Sequence, residues 1–150
     1  MNVLSPVSTI MTTRLKAVNP EDSLERVKAI FDEFSIHHIP VVRYKEIVGL
    51  ISKSDFLHFL KGFVQNDMDK FIEQTRLKTW TAKEIMTVKL AKIESSEPIR
   101  TALELFKINR FHALPVVDDG ELVGIITTYD IIAQLAGEPV PLENYAAAKA

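Results

Sequence analysis

The chain has 150 residues, 47 % of them hydrophobic and 25 % charged, which is the balance of an ordinary globular protein and excludes a predominantly disordered one. Its net charge of −2 and pI of about 6.1 lack the basic excess that binding to a nucleic-acid backbone requires. Because the sequence has no cysteine, disulfides, thiolate nucleophiles and cysteine-ligated zinc are excluded, and a reducing, cytoplasmic location is expected.

The first predicted element is a short helix near the N-terminus. Ser5 is a candidate N-cap, and Pro6 fits the first helical position. Residues 1–6 have no basic region followed by an apolar core, so a signal peptide is not expected. A short strand is predicted over residues 15–18.

An amphipathic helix is predicted next. From Leu24 to Phe34, apolar residues recur at the spacing of one buried helical face. Asp22 and Ser23 supply a cap at its N-terminal end. The helix is therefore expected to cover one face of the strands that follow.

Two apolar strands are predicted at residues 39–42 and 47–51, with a turn between them at 43–46. This turn contains no glycine, so we expect it to differ from its counterpart in the second half of the chain, which has Asp-Gly. A closing helix is predicted to begin at Ser54 and Asp55.

An apolar stripe at helical spacing continues from Phe56 to Ile72, with breaks expected at Gly62 and at Asn66-Asp67. The stripe can pack on its own half of the chain, which is the commoner role of such a pattern, or it can contact a second subunit. It is more apolar than a module of this size needs for its own core. A homodimer is therefore expected.

The second half of the chain repeats the first. Residues 10–55 align with residues 85–130 at a constant offset of 75 without gaps, and fourteen of the 46 positions are identical. The same elements are thus predicted again, namely a short helix with a Thr81–Glu84 capping box, strands at 90–93, 114–117 and 122–126, a helix from about residue 99, and a closing helix from Tyr129-Asp130. Each unit exposes an apolar sheet face, so we expect the two units to fold as one module.

Each half ends with the same short motif, Gly-apolar-apolar-Ser/Thr-x-x-Asp, at residues 49–55 and 124–130. Glycine allows close approach of a ligand, and a hydroxyl beside a helix N-terminus can donate to a phosphate. The aspartate carboxylate can accept hydrogen bonds from both ribose hydroxyls. A purely structural alternative is that Asp55 and Asp130 cap helices. Recurrence at equal spacing favours the binding interpretation.

Three motifs recur in order in both halves: Ile-Met-Thr, His-x-Ile/Leu-Pro-Val-Val and Gly-x-x-Ser/Thr-x-x-Asp. This order resembles the cystathionine-β-synthase (CBS) motif, here as a tandem pair over residues 5–136. The resemblance implies an α+β fold in which two β-α-β-β-α motifs pack sheet to sheet with pseudo-twofold symmetry. The implied division is motif 1 at 5–60, a helical linker at 61–79, motif 2 at 80–136 and a tail at 137–150.

The resemblance also implies two clefts that bind adenosine ligands, with Asp55 and Asp130 as the ribose ligands. The hydroxyl residues are candidate phosphate or ribose contacts, and the histidines match those that approach phosphates in some members. Ala17 and Lys92 stand where the family often has threonine or serine, so Lys92, Arg14 or Lys89 would offer a cation instead. The candidates in the first half are Ala17, His37, Gly49, Ser52, Ser54 and Asp55, and those in the second are Lys92, His112, Gly124, Thr127, Thr128 and Asp130.

Two functions are consistent with this pattern. The first is a stand-alone regulatory module that senses AMP, ADP or ATP, with S-adenosylmethionine or a dinucleotide as weaker candidates and the Asp130 cleft binding at least as tightly as the Asp55 cleft. The second is a dimeric interaction module with vestigial clefts that acts on a partner enzyme or transporter. An enzyme is not expected, because no cysteine, HExxH or GxxxxGK[ST] motif is present. Neither a metal at His37-His38 nor a membrane segment is expected.

Overall fold

The computed structural model describes residues 1–61 and 67–139. These residues form two hairpins, one 3-10 turn and six α-helices. In chain order the elements are a 3-10 turn at Val7–Thr9, helix α1 at Leu24–Glu33, strands β1 at His38–Arg43 and β2 at Glu46–Ser52, helices α2 at Lys53–Lys61, α3 at Asp67–Thr79, α4 at Ala82–Ile85 and α5 at Ile99–Asn109, strands β3 at Ala113–Asp118 and β4 at Glu121–Thr127, and helix α6 at Thr128–Ala136.

The two halves have the same architecture. Each contains one antiparallel hairpin, β1 with β2 and β3 with β4, and each hairpin has a bulge at the same place, between Val41 and Val42 or between Val116 and Val117. Strands β2 and β4 contact each other, and the Leu122 amide donates to the Lys45 carbonyl at 2.9 Å, so the two hairpins meet. The α+β fold with two repeated motifs is confirmed.

The predicted first strand of each motif is wrong, because only one residue of each predicted range pairs with a neighbouring strand. Val18 makes one parallel bridge to Val41, and Ile93 makes one to Val116. The Val18 amide donates to the Pro40 carbonyl at 3.0 Å, and the Val42 amide donates to the Val18 carbonyl at 2.8 Å. The next amide on that edge of β1 would be that of Pro40, which has no N–H, so the ladder ends there.

The expected difference between the two hairpin turns is also wrong. Tyr44 and Lys45 have φ values of 50° and 68°, and Asp119 and Gly120 have values of 50° and 80°. Both turns therefore have two central residues in the left-handed region, which matches the twist of a two-residue hairpin. The hairpin pairing imposes this conformation on Tyr44 and Lys45 at a cost of about 1–2 kcal/mol per residue.

The opening segment of each motif pairs with the opposite half. Thr12 and Ile125 exchange two backbone hydrogen bonds of 2.9 Å each, which joins the N-terminal segment to β4. Leu50 and Thr87 exchange equivalent bonds of 3.0 and 2.9 Å, which joins the start of the second motif to β2. The hydrophobic cores follow the same exchange, because Val7 lies in the core of the second half and Ala82 in that of the first.

The glycine that recurs in both motifs is a packing position. A Cβ on Gly49 would lie 2.3 Å from the Met86 Sδ, and a Cβ on Gly124 would lie 2.7 Å from the Met11 Sδ. The methionine of each Ile-Met-Thr opening thus packs directly on the glycine of the opposite hairpin. The missing side chain makes room for a methionine, whereas the sequence had suggested room for a ligand.

The helix caps match the sequence in part. Ser23 accepts a hydrogen bond from the Arg26 amide at 3.4 Å. In the Thr81–Glu84 capping box, the Thr81 amide donates to the Glu84 Oε2 at 2.6 Å, while the Glu84 amide donates to the Thr81 carbonyl at 3.1 Å. The expected cap at Ser5 is wrong, because the N-cap of the 3-10 turn is Pro6 and no side chain caps it.

The apolar stripe from Phe56 to Ile72 is buried at some positions and exposed at others. Phe56 is buried in the first core, while Leu57 and Phe71 are 45 % and 72 % exposed. Helix α2 ends at Lys61 and α3 begins at Asp67; the predicted break at Gly62 and the stripe positions at 63, 64 and 68 lie outside the described residues or side chains. Most of the predicted tail, from residue 140 onward, also lies outside them. Within the described part, no helix is long and apolar enough to span a membrane.

Candidate functional site

A cavity of about 890 Å³ lies between the two halves. It is lined by equivalent residues of both motifs, including the pairs Ser52 with Thr127 and Asp55 with Asp130. A cavity of this size is in the range that holds small-molecule ligands and cofactors. The two clefts suggested by the sequence are therefore continuous in this structure.

Eight of the twelve candidate positions line the cavity, and four do not. Gly49 and Gly124 are buried beneath the methionines of the opposite halves. Ala17 and Lys92 also lie outside it, and Lys92 instead borders a separate groove of about 350 Å³ beside Glu94 and Glu97. The candidates that line the cavity are His37, Ser52, Ser54, Asp55, His112, Thr127, Thr128 and Asp130.

The Asp130 carboxylate is held by three hydrogen bonds. The amide and the hydroxyl of Thr127 each donate to its Oδ2 at 2.7 Å. The Thr12 hydroxyl, from the opposite half, donates to its Oδ1 at 3.1 Å. The Asp130 amide in turn donates to the Thr127 Oγ1 at 3.1 Å, which completes a capping box at the start of α6. The carboxylate is thus fixed at the cavity wall, and Oδ1 keeps one acceptor position open.

The Asp55 carboxylate is less constrained. The Asp55 amide donates to the Ser52 Oγ at 3.1 Å, and the Ser52 and Ser54 hydroxyls lie 3.3 Å apart. Within the described residues, neither carboxylate oxygen of Asp55 accepts a hydrogen bond. Asp55 is exposed, whereas Asp130 is partly buried. The two halves therefore offer one pre-organised carboxylate and one free one.

Four cationic side chains line the cavity together with the two carboxylates: Arg14, Lys16, Lys89 and Arg110. In the described part of the chain, Arg14, Lys89 and Arg110 form no ion pair, while Lys16 lies 4.3 Å from the centre of the Phe34 ring. The cations outnumber the carboxylates, so the cavity favours a ligand with negative charge.

Sequence reasoning missed Arg110. It is the C-cap of α5 in a left-handed conformation, with φ 53°, and the equivalent position of the first half is Ser35. A helix C-cap in this conformation turns the chain sharply, and here Arg110 lines the cavity. The available signal was a basic residue in place of glycine at the end of the predicted helix, two positions before His112.

Three histidines, His37, His38 and His112, also line the cavity. The pKa of His38 is lowered from 6.5 to about 4, first by burial and then by the neighbouring His37 and His112, while Asp55 acts in the opposite direction. At neutral pH the His38 imidazole is therefore uncharged. Among the described residues, no cluster of three histidine, aspartate or glutamate side chains has the arrangement to hold a metal ion.

The His38 pKa predicts an acid-sensitive fold. Between pH 6.5 and about 4 the unfolded chain binds a proton at His38 and the folded chain does not, so stability falls as the pH falls through this range. The slope is at most about 1.4 kcal/mol per pH unit, and solvent screening reduces it because the site is partly exposed. In urea unfolding at pH 7 and pH 5, His38→Asn should lose less stability than the wild type. His58→Asn, outside the cavity on α2, is the control, and equal losses in all three proteins would contradict the assignment.

The chain matches the family model described as CBS domain twice, over residues 7–62 and 82–137. Among curated proteins it is similar to inosine-5'-monophosphate dehydrogenase of Methanocaldococcus jannaschii, with 32 % identity over 117 residues that cover 77 % of this chain and 20 % of the dehydrogenase. It is also similar to the CBS domain-containing protein YhcV of Bacillus subtilis, with 23 % identity over 136 residues, 90 % of this chain and 89 % of YhcV. The chain thus spans only about a fifth of the dehydrogenase.

Two solved structures with ligands are similar to the whole module. The structure of CBSX2 in complex with AMP has a TM-score of 0.71 and 28 % identity, covering 88 % of this chain and 96 % of that one. The CBS domain pair of protein MJ0100, in complex with 5'-methylthioadenosine and S-adenosyl-L-methionine, has a TM-score of 0.71 and 25 % identity, covering 91 % and 99 %.

Proposed function

The chain belongs to the CBS domain family and is a pair of CBS motifs that forms a regulatory module, and from this premise we propose that it binds an adenine nucleotide, AMP, ADP or ATP, in the cavity between its halves. The observation that carries the proposal is the fixed Asp130 carboxylate at the wall of a cavity with an excess of cations. The carboxylate supplies an acceptor for ribose, and the cations supply partners for phosphate.

The charges of the cavity favour a nucleotide over S-adenosylmethionine. The sulfonium centre of S-adenosylmethionine is positive, and the lining cations Arg14, Lys89 and Arg110 would repel it. Nucleotide phosphates carry the opposite charge and gain charge-assisted hydrogen bonds from the same side chains. The AMP bound to CBSX2 supports this choice, and the ligands bound to MJ0100 make S-adenosylmethionine the competitor to test.

A thermal-shift panel tests the proposal. The ligands are AMP, ADP, ATP, adenosine, S-adenosylmethionine and inorganic tripolyphosphate, each at up to millimolar concentration. A ligand present at 100 times its Kd adds about 2.7 kcal/mol to the stability, which raises the Tm of a chain this size by several degrees. We expect the nucleotides to raise the Tm more than adenosine or tripolyphosphate alone. No shift with any nucleotide would contradict the proposal.

We also propose that two copies of the chain associate through helix α6. Tyr129, Ile132 and Leu135 are 72 %, 61 % and 49 % exposed, and their spacing places them on one face of that helix. Leu57, the equivalent of Ile132 on α2, is also exposed. The sequence had placed the dimer contact on the linker stripe alone, where Phe56 proves to be a core residue.

Light scattering tests the dimer. The wild type should have about twice the 16.9 kDa of one chain at tens of micromolar. Ile132→Asp should shift the protein to the monomer, because a buried unpaired charge is costly at an apolar interface. Ile108→Asp, at a comparably exposed residue of α5, should leave the dimer intact. A wild-type monomer would contradict this proposal.

The same apolar face supports a second candidate function, a module that acts on a partner protein in trans. We propose that this partner is an enzyme or a transporter. This chain spans about a fifth of the dehydrogenases it resembles, so their activity belongs to much longer proteins. We propose no catalysis by this chain itself. The absence of cysteine from the sequence supports a cytoplasmic location.

A further inference from the structure

His38 distinguishes the two halves of the cavity. His37 and His112 occupy equivalent positions of the two motifs, whereas the residue equivalent to His38 is Ala113. His38 begins β1, where it pairs with Ser52 at the motif that leads into α2. The first half therefore contributes a titratable side chain that has no counterpart in the second half, and it lies beside the candidate ribose and phosphate ligands.

The charged groups around His38 come from several elements. His37 precedes it on the chain, His112 belongs to the opposite half, and Asp55 lies at the start of α2. The other charged side chains that line the same cavity are Arg14, Lys16, Lys89, Arg110 and Asp130. Without a ligand, burial is the largest of the effects that keep the His38 imidazole neutral, His37 and His112 act in the same direction, and Asp55 opposes them.

We propose that His38 takes up one proton when a nucleotide's phosphates enter the cavity, so that nucleotide binding strengthens as the pH falls. This inference rests on the proposed function and adds a regulatory property to it. The cavity then responds both to nucleotide and to pH.

The physical argument follows from the sign of the charges. A phosphate monoester carries about −1.5 to −2 charges at pH 7 and presents three strong acceptor oxygens. Placed near His38, it stabilises the imidazolium, which becomes a donor to phosphate, and it offsets the burial and the effect of His37 and His112 that lower the pKa. Because the free imidazole starts neutral, the proton has to come from solution. By linkage, a group that gains a proton on binding makes the affinity increase as the pH decreases.

Isothermal titration with ATP, using the full chain, tests the inference in two ways. Titration in two buffers of different ionisation enthalpy at pH 6.5 measures the protons taken up per ATP bound, and we expect a value between about 0.3 and 1. The Kd for ATP should fall by about three- to tenfold between pH 7.5 and 6.0, the range expected for uptake of up to one proton. The Kd for adenosine, which has no phosphate, should change little over the same range.

Variants assign the proton to His38. His38→Gln cannot be protonated and keeps a polar side chain of similar length, so it should bind ATP with no more than a small pH dependence. His58→Gln, on α2 outside the cavity, should behave as the wild type. His38→Asn, which also cannot be protonated, is the second variant if His38→Gln folds poorly, and it should likewise bind ATP with no more than a small pH dependence.

The outcomes separate this inference from the proposed function. If ATP binds with no proton uptake and an unchanged Kd between pH 7.5 and 6.0, the proton-linked role of His38 is overturned while nucleotide binding stands. Equal uptake by wild type and His38→Gln would also overturn it. If no nucleotide binds at any pH, the proposed function fails and this inference fails with it.

Discussion

Gly49→Ala and Gly124→Ala should each lower the free energy of unfolding by about 2–3 kcal/mol. A Cβ at Gly49 would lie 2.3, 2.6 and 2.9 Å from the Sδ, Cγ and Cβ of Met86, so the whole side chain would have to move. At Gly124 the Met11 Sδ would lie at 2.7 Å and the Thr12 carbonyl oxygen at 3.0 Å. Overpacking of this kind in a filled interior typically costs about 1–3 kcal/mol. Urea unfolding at pH 7 measures the change.

A matched control and a rescue make this prediction specific. Gly137→Ala places its Cβ no closer than 3.5 Å to any atom outside its chain neighbours, so its effect should stay within about 0.5 kcal/mol. Met86→Gly removes all three clashing atoms, so its loss of stability and that of Gly49→Ala should sum to more than the loss of the double variant, whereas the losses of Gly49→Ala and Met11→Gly should add. Losses that simply add in the Gly49→Ala/Met86→Gly double variant would contradict the proposed contact.

Chains cut at the boundary between the repeats should fail to fold. Residues 1–75 lose Ala82 and Met86, which pack on the first core, and residues 78–150 lose Val7 and Met11, which pack on the second. Each fragment also loses a pair of backbone hydrogen bonds to its own hairpin, at Leu50 or at Ile125. Buried apolar area and paired backbone groups are both removed, so we expect no cooperative urea transition from either fragment alone.

A fragment cut elsewhere provides the control. Residues 13–88 keep the first hairpin together with α4 and the Met86-Thr87 segment that covers it. This fragment should show more secondary structure by circular dichroism than residues 1–75, although it is of similar length. Soluble halves 1–75 and 78–150 that each melt cooperatively would contradict the exchange of segments.

Local sequence signals predicted most of the secondary structure. The hairpin strands were placed to within a residue at each end, because their short β-branched runs are bounded by turn residues. Helices α1 and α5 were predicted from apolar residues that recur on one helical face. The cap at Ser23 and the capping box at Thr81 were predicted from short sequence patterns. These features depend on neighbours within a few positions of the chain.

Features that depend on contacts with the opposite half could not be predicted from neighbouring residues in the sequence. The role of Gly49 depends on Met86, which lies 37 positions away, and the Thr12–Asp130 hydrogen bond joins residues 118 positions apart. The left-handed turn at Tyr44-Lys45 is imposed by the hairpin against the preference of both residues. The eight candidate side chains that line the cavity were predicted from motifs, whereas Arg110 enters through a helix cap that no motif marks.

The most direct measurement of nucleotide binding between the halves is isothermal titration of ATP and AMP into wild type, Asp55→Ala, Asp130→Ala and the surface control Asp32→Ala. Each charge-assisted hydrogen bond to ribose is worth about 1.5–3 kcal/mol, so Asp130→Ala should weaken binding by about ten- to hundredfold. The loss for Asp55→Ala should be equal or smaller, because its carboxylate is not pre-organised, and Asp32→Ala should bind as the wild type does. A 2'-deoxy nucleotide should bind the wild type with a comparable loss of affinity. No heat at millimolar nucleotide, or equal affinity in all four proteins, would contradict the account.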